Sequence, residues 1–272
     1  MKGYAQMSIK IAIANQKGGV GKTTTAINIA DALTHLGHKV LFIDMDPQCN
    51  STSTYGAKIE NENTIVDVLK KDCTAKEAIQ STPLGDIIPG DTLLAQEKFF
   101  FNSHKAREFV LKKAMSGLED EYDYIIMDTP PDLDIYMINA LTFADGIIIP
   151  LTAAQYSVDG LGLLIETAND VIEELNPNLK IYGVVLNIYD ARTKLDRDVF
   201  DSLEAVGDMY GFKAFRTAIR ICQPIKEVQS IRASEEDVKQ GIIPNRSLFE
   251  NYPRCNAAVD YVNLVKEIME VI

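Results

Sequence analysis

Residues 8–44, SIKIAIANQKGGVGKTTTAINIADALTHLGHKVLFID, contain a short β-rich run, a glycine turn, a stretch with helical spacing and a second apolar run. Ala26, Ile29, Ala30, Leu33 and Leu36 recur at intervals that keep them on one face of a helix. Gly37 is placed to end that helix, and Val40 to Ile43 is continuously apolar, as a strand buried on both faces must be. This is a βαβ unit. Further apolar runs at DIIPG, YDYIIMDTPP, GIIIPL and KIYGVVLN are separated by stretches long enough for helices. The alternation predicts an α/β fold: a doubly wound, mostly parallel sheet with helices on both faces and right-handed crossovers. No repeat, low-complexity tract or flexible linker divides the chain, so a single domain over residues 1–272 is expected. Asn50 to Ser81 is the least regular segment, read as helices and loops over the sheet edge.

The turn fits the phosphate-loop pattern GxxxxGK[ST] except at its first position, where Gln16 replaces glycine and Lys17 follows it. A glycine turn between a buried strand and a helix aims backbone N–H groups and the positive helix end at one point, where an anion is favoured. Gly18, Gly19, Val20, Gly21, Lys22, Thr23 and Thr24 are therefore the candidate nucleotide-binding residues. Lys22 brings a full charge to the phosphates. Thr23 is the hydroxyl such loops place on Mg²⁺, and Asp128, ending the run YDYIIMD, is placed to hold that ion through water. Gln16 leaves the backbone less permissive than glycine would, and Lys17 is expected to project from the loop tip, poorly placed for its own nucleotide.

Other features narrow the class. Cys49, Cys73, Cys222 and Cys255 are far apart with no CxxC pair, which points away from a zinc site or a disulfide framework. No charged-then-apolar leader opens the chain, and no apolar run approaches the roughly 18 residues of a membrane span. A cytoplasmic location is expected.

Taken together, KGGVGKT, FIDMDPQ and DTPP resemble the deviant Walker A ATPases of the ParA/MinD family, and the resemblance runs on through NALTFADGIIIPL to SLFENYPRCNAAVDYVNLVKEI. It implies a P-loop NTPase that uses ATP and Mg²⁺ and forms a face-to-face homodimer on ATP. In such a dimer Lys17 would cross to the phosphates of the partner's nucleotide. Lys17, Lys22 and Asp46 are the implied catalytic residues, with Asp46 positioning or activating the attacking water. Asp44 would sit nearer the Mg²⁺ shell, completing a metal set of Thr23, Asp44 and Asp128. The two aspartates of DMDPQ are expected to point to opposite sides as their strand ends. Asp128 to Pro131 resembles a second switch, and Asn187 lies where relatives contact adenine.

The family divides by what its dimer grips. MinD relatives carry a basic amphipathic C-terminal helix for anionic lipid. Here VDYVNLVKEIMEVI sets Lys266 against Asp260, Glu267 and Glu270, so that helix is expected on the core and no membrane partner is implied. Iron-protein relatives need a cysteine beyond the second switch, and DLDIYMINAL has none. ParA relatives bind DNA through C-terminal basic residues. The net charge of −12 opposes an indiscriminate nucleic-acid coat, yet Tyr210 to Arg232 holds Lys213, Arg216, Arg220, Lys226 and Arg232 against Glu227 alone. Those five are the candidate DNA-binding residues. Arg192, Lys194 and Arg197 form a weaker neighbour, interleaved with Asp190, Asp196 and Asp198. The resemblance to the short ParA/Soj type implies a nucleoid-associated partition ATPase that binds double-stranded DNA without sequence preference and is released when a ParB-like centromere-binding protein stimulates hydrolysis. The alternatives from other classes are a P-loop biosynthetic ligase or amidotransferase related to dethiobiotin synthetase, and a MinD-like positioning adaptor.

Overall fold

The computed structural model describes residues 8–118, 120–156 and 158–272. The reading that no leader is present falls largely on residues 1–7, which lie outside the described residues. Strands β1 (Ile9–Ile13), β2 (Val40–Asp44), β3 (Gln80–Thr82), β4 (Gly85–Ile88), β5 (Tyr124–Asp128), β6 (Gly146–Thr152), β7 (Lys180–Tyr189) and β8 (Ile219–Arg220) form one sheet. Their order is β3-β4-β2-β5-β1-β6-β7-β8. Every adjacent pair is parallel except β3 with β4. The helices are α1 (Lys22–His35), α2 (Asn50–Tyr55), α3 (Ile65–Lys70), α4 (Leu94–Asn102), α5 (Val110–Ala114), α6 (Ile135–Phe143), α7 (Val158–Glu174), α8 (Lys194–Tyr210), α9 (Gln223–Ser230), α10 (Glu235–Gln240), α11 (Leu248–Asn251) and α12 (Asn256–Met269).

The continuous apolar strands serve two cores. Successive side chains leave a strand on opposite faces, so Ala12, Leu41, Ile43, Ile125, Met127, Ile147 and Ile149 join α6 and α7 on one side. Ile11, Ile13, Phe42, Ile126 and Ile148 join α1 and α12 on the other. A strand polar on alternate positions could not fill both layers, which is why the runs read as unbroken. The doubly wound, mostly parallel sheet is as expected. The irregular segment does hold helices, α2 and α3, but it also runs into the edge strand β3, which was not expected.

Winding around the sheet sets the site. From β1 the chain crosses by α1 to β2, while from β5 it crosses by α6, on the opposite face, to β6 on the far side of β1. Ligands of open α/β sheets bind at the carboxyl ends of strands where such directions diverge. Here that place is the ends of β1, β2 and β5. α12 lays Ala258, Tyr261, Leu264, Val265 and Ile268 into the core beside α1, as its charge pattern implied. Among the described residues no helix is long and apolar enough to cross a membrane.

Candidate functional site

The glycine turn leaves β1 and enters α1, with Gly18 and Gly19 exposed at its tip. Gly19 (φ +74°) and Gly21 (φ +87°) adopt the left-handed backbone that side chains disfavour. A Cβ on Gly21 would lie 2.9 Å from Asn187 Nδ2. Because Gly21 stands at the N-cap of α1, no cap side chain takes up the first amides of that helix, which leaves them for an anion. Two asparagines pin the loop. Asn15 Nδ2 donates to Pro150 O (2.6 Å) and its Oδ1 accepts the Lys17 amide (2.9 Å). Asn187 Nδ2 donates to Val20 O (2.9 Å) and Thr25 Oγ1 (2.8 Å).

Lys22, the first residue of α1, is buried and spans the loop, its Nζ donating to Lys17 O at 3.0 Å. Burial lowers the ammonium's pKa, and Asp128, Asp46 and Asp132 oppose that shift. Facing it are the ends of β2 and β5, whose register pairs Asp44 with Asp128. Both carboxylates are fully buried, and burial pushes both pKa values upward because a charged carboxylate is poorly solvated there. Asp44 accepts Thr52 N (2.9 Å), Thr52 Oγ1 (2.7 Å) and Asp46 N (3.1 Å). Asp128 accepts Ser51 Oγ on Oδ2 (2.7 Å), while its Oδ1 has no hydrogen-bond partner among the described residues. The Thr23 hydroxyl also acts on Asp128 as a hydrogen-bond donor that lowers its pKa, although no hydrogen bond of ordinary geometry joins the two. Asp46 is buried, takes the Gln48 amide on Oδ1 (2.9 Å) and has its pKa raised by burial, with Lys22 opposing.

The structure thus brings Lys22, Thr23, Asp44, Asp46 and Asp128 to one place. It corrects one expectation. Asp44 and Asp46 are not set apart as expected: β2 ends at Asp44, so Asp46 lies beyond the strand, and both carboxylates act electrostatically on Asp128. It also moves Lys17. Rather than projecting from the tip, Lys17 is partly buried, and its amine donates to Gln155 O of the same chain at 2.6 Å. The Asn15 turn at its amide directs the side chain toward the residues that follow β6.

The residues present fit a magnesium-bound nucleotide. A buried carboxylate oxygen without a partner, in a pocket that raises carboxyl pKa values, calls for a cation or its water. Uncapped helix amides beside a buried lysine call for phosphate. Among the described residues no three acidic, cysteine or histidine side chains converge to chelate an ion by themselves. Next to the loop lies a cavity of about 340 Å³ lined by Gly21, Thr24, Asn187, Ile219, Lys226 and Tyr261 among others, large enough for a nucleoside. Asn187 reaches it after spending its amide nitrogen on the loop, and its Oδ1 is left without a partner among the described residues. A larger hollow of about 660 Å³, lined by Lys71, Cys73, Lys76 and Lys113, contains none of the loop residues.

The five basic candidates meet different neighbours. Lys213 and Arg216 line a hollow with Glu204 and Asp208. Arg220 and Lys226 line the cavity beside the loop. Arg220 is committed to Asp260, with NH2–Oδ1 at 2.6 Å and Nε–Oδ2 at 2.9 Å. Arg232 is exposed and lies near Arg246. In the weaker group, Arg192 forks onto Asp190. Sequence reasoning missed Asn15, Ser51, Thr52 and Gln155. The hydroxyls of Ser51 and Thr52, just past DMDPQCN, were the legible signal.

A family profile described as an AAA domain matches residues 8–181. The sporulation initiation inhibitor protein Soj of Bacillus subtilis is 36% identical over 261 residues, covering 95% of this chain and 97% of its own. The chromosome partitioning protein ParA of Myxococcus xanthus is 39% identical over 205 residues, covering 74% and 72%. Among solved structures, cobyrinic acid a,c-diamide synthase from Mycobacterium smegmatis with a bound ATP analogue and magnesium superposes with a TM-score of 0.79 at 29% identity, covering 97% of this chain and 94% of its own.

Proposed function

Because the chain belongs to the ParA/Soj family of partition ATPases, we propose that it segregates DNA by forming an ATP-sandwich dimer. The dimer binds double-stranded DNA without sequence preference and leaves it when a ParB-like partner stimulates hydrolysis. It is an ATPase, and ATP and Mg²⁺ are its cofactors. The observation that carries this reading is the uncapped start of α1, with Lys22, set against the unpartnered buried oxygen of Asp128.

Lys22 and the loop amides bind the phosphates. Thr23, with Asp44 and Asp128 behind it, would hold the ion. Held there, magnesium would supply neutralisation of the charge that develops during transfer. Asp46 orients the attacking water and receives its proton, a role that suits a carboxylate held at raised pKa beside Lys22. Lys17 leaves Gln155 O and reaches across the dimer to the partner's nucleotide. Asn187 orients the base edge of the nucleoside. The whole of residues 1–272 acts as one domain, at work in the cytoplasm on the nucleoid. The M. smegmatis likeness supports a second reading, a biosynthetic amide synthase, which would turn over a small carboxylate without DNA or a partner.

Asp46→Ala separates these. It removes water positioning while leaving Lys22 and the loop intact, so size-exclusion chromatography with ATP and Mg²⁺ should give a lasting dimer with hydrolysis reduced by about 100-fold. A variant that binds ATP yet stays monomeric counts against the partition reading. ATPase rates measured with DNA, with a ParB-like DNA-binding protein, and with both should rise most with both.

A further inference from the structure

The first turn of α2 reaches both carboxylates at once. Its consecutive residues Ser51 and Thr52 are fully buried, and they serve different strands: Ser51 Oγ donates to Asp128 at the end of β5, and Thr52 donates to Asp44 at the end of β2. Neither hydroxyl has freedom left. The Thr52 proton is committed to Asp44 Oδ2 (2.7 Å), and its oxygen accepts the Gly90 amide (2.7 Å), which ties the pair to the end of β4. Ser51 holds Asp128 Oδ2, and Oδ1 is the oxygen left without a partner among the described residues. α2 is held at its other end too, where Arg246 donates to Ser53 O (3.1 Å) and Thr54 O (3.0 Å).

We propose that Ser51 and Thr52 are positioning residues for the ion: they fix the two buried carboxylates so that Asp128 presents one oxygen in one orientation. The inference rests on the nucleotide-site reading above. Magnesium demands near-ideal octahedral geometry and keeps several waters, so a carboxylate acting through a water must be aimed. Outer residues that orient such groups are commonly worth ten- to a hundredfold in metal affinity.

The test follows binding rather than turnover. A fluorescent ATP analogue is titrated against the whole chain, first in EDTA and then over a range of Mg²⁺ concentrations, for wild type, Ser51→Ala, Thr52→Val and Thr52→Ser. Ser51→Ala should need about tenfold more Mg²⁺ for half-maximal tight binding, with affinity in EDTA unchanged within about twofold. Thr52→Val should shift the same way, and Thr52→Ser, which keeps the hydroxyl, should restore wild-type behaviour. Half-maximal Mg²⁺ within about twofold of wild type for Ser51→Ala overturns the proposal, as does a loss in EDTA equal to the loss in Mg²⁺, which is what a merely structural role gives. If Thr52→Val does not fold, Ser51→Ala and Thr52→Ser still decide it. A wild type whose nucleotide binding ignores Mg²⁺ overturns the nucleotide-site reading together with this one, whereas normal wild-type behaviour with unshifted variants overturns this one alone.

Discussion

The carboxylate pocket and the basic stretch from Lys213 to Arg232 were both read from charged residues close together in sequence, and the fold treats them differently. Asp44 and Asp128 come from segments more than 80 residues apart, yet they are partners in sheet register. Lys213 to Arg232 is continuous chain, yet it passes through a loop, β8 and α9, and its cations reach different surroundings. Strand ends in the middle of a parallel sheet are placed by the backbone ladder, whereas neighbouring charges on a winding segment are placed by whatever each one finds. A motif at a strand end is therefore fixed in three dimensions by the sheet, whereas a count of charges leaves each one's surroundings to be found.

The largest effect expected is on the pocket side. Lys22→Ala should lower nucleotide affinity by about 100-fold or more, because it removes a buried charge from the phosphates. Lys17→Ala should stay within about fivefold of wild type for binding while losing dimerisation and hydrolysis, since its amine rests on Gln155 O and not in the loop. Titration of both variants with a fluorescent ATP analogue reads the difference. Equal losses would mean that Lys17 acts on its own nucleotide.

Next comes a test of whether the basic stretch is one surface. Arg220→Glu would set a second carboxylate against Asp260, whose side chain is only 7% exposed. It should cost about 2 kcal/mol, below the usual figure for a broken buried pair because the Arg220 side chain is 43% exposed. Arg216→Glu, on an exposed residue, should stay within about 0.5 kcal/mol. Urea unfolding compares them, and equal stabilities would return Arg220 to the candidate DNA face. Smaller again is the effect on DNA. Lys213→Glu with Arg216→Glu should leave ATP-driven dimerisation intact and weaken retention of random duplex by about tenfold, with the slope of log K against log salt reduced by about 0.9 for each lost phosphate contact. Filter binding across salt concentrations measures it. Unchanged retention would move the DNA surface away from these residues.

What was legible follows the same division. The βαβ unit, the loop and the strand-end aspartates came through because each depends on local pattern: unbroken apolar strands, glycine where φ must be positive, and polar residues where strands stop. β3 did not, because Gln80–Thr82 is a three-residue polar edge strand with no apolar alternation to betray it. β8, two residues long, carries no period at all. The placement of Asp46 was misjudged because β2 ends at Asp44 and strand periodicity does not reach it. Contacts such as Lys17 with Gln155, Arg220 with Asp260 and Asp31 with Ser247 join residues that only the completed fold brings together.

Asp31 gives the pocket its internal control and the smallest of these effects. It too is a buried carboxylate, on α1, accepting Ser247 Oγ (2.8 Å) and the Leu248 amide (2.8 Å), but no ligand awaits it. Burial pushes its pKa up to about 6, with those hydrogen bonds and then the charge of His35 opposing. The folded protein therefore holds the proton more tightly than the unfolded chain, whose value is near 3.8. Stability from this group is fully present below the unfolded value and is lost as pH rises through the folded one. Between about pH 5 and pH 7.5 the wild type should lose roughly 1 kcal/mol, and Asp31→Asn, which cannot titrate, should not show that loss. Subtracting the two urea-derived stability curves isolates the contribution of Asp31. If the curves run parallel across that range, the hydrogen bonds from Ser247 and Leu248 already hold Asp31 ionised.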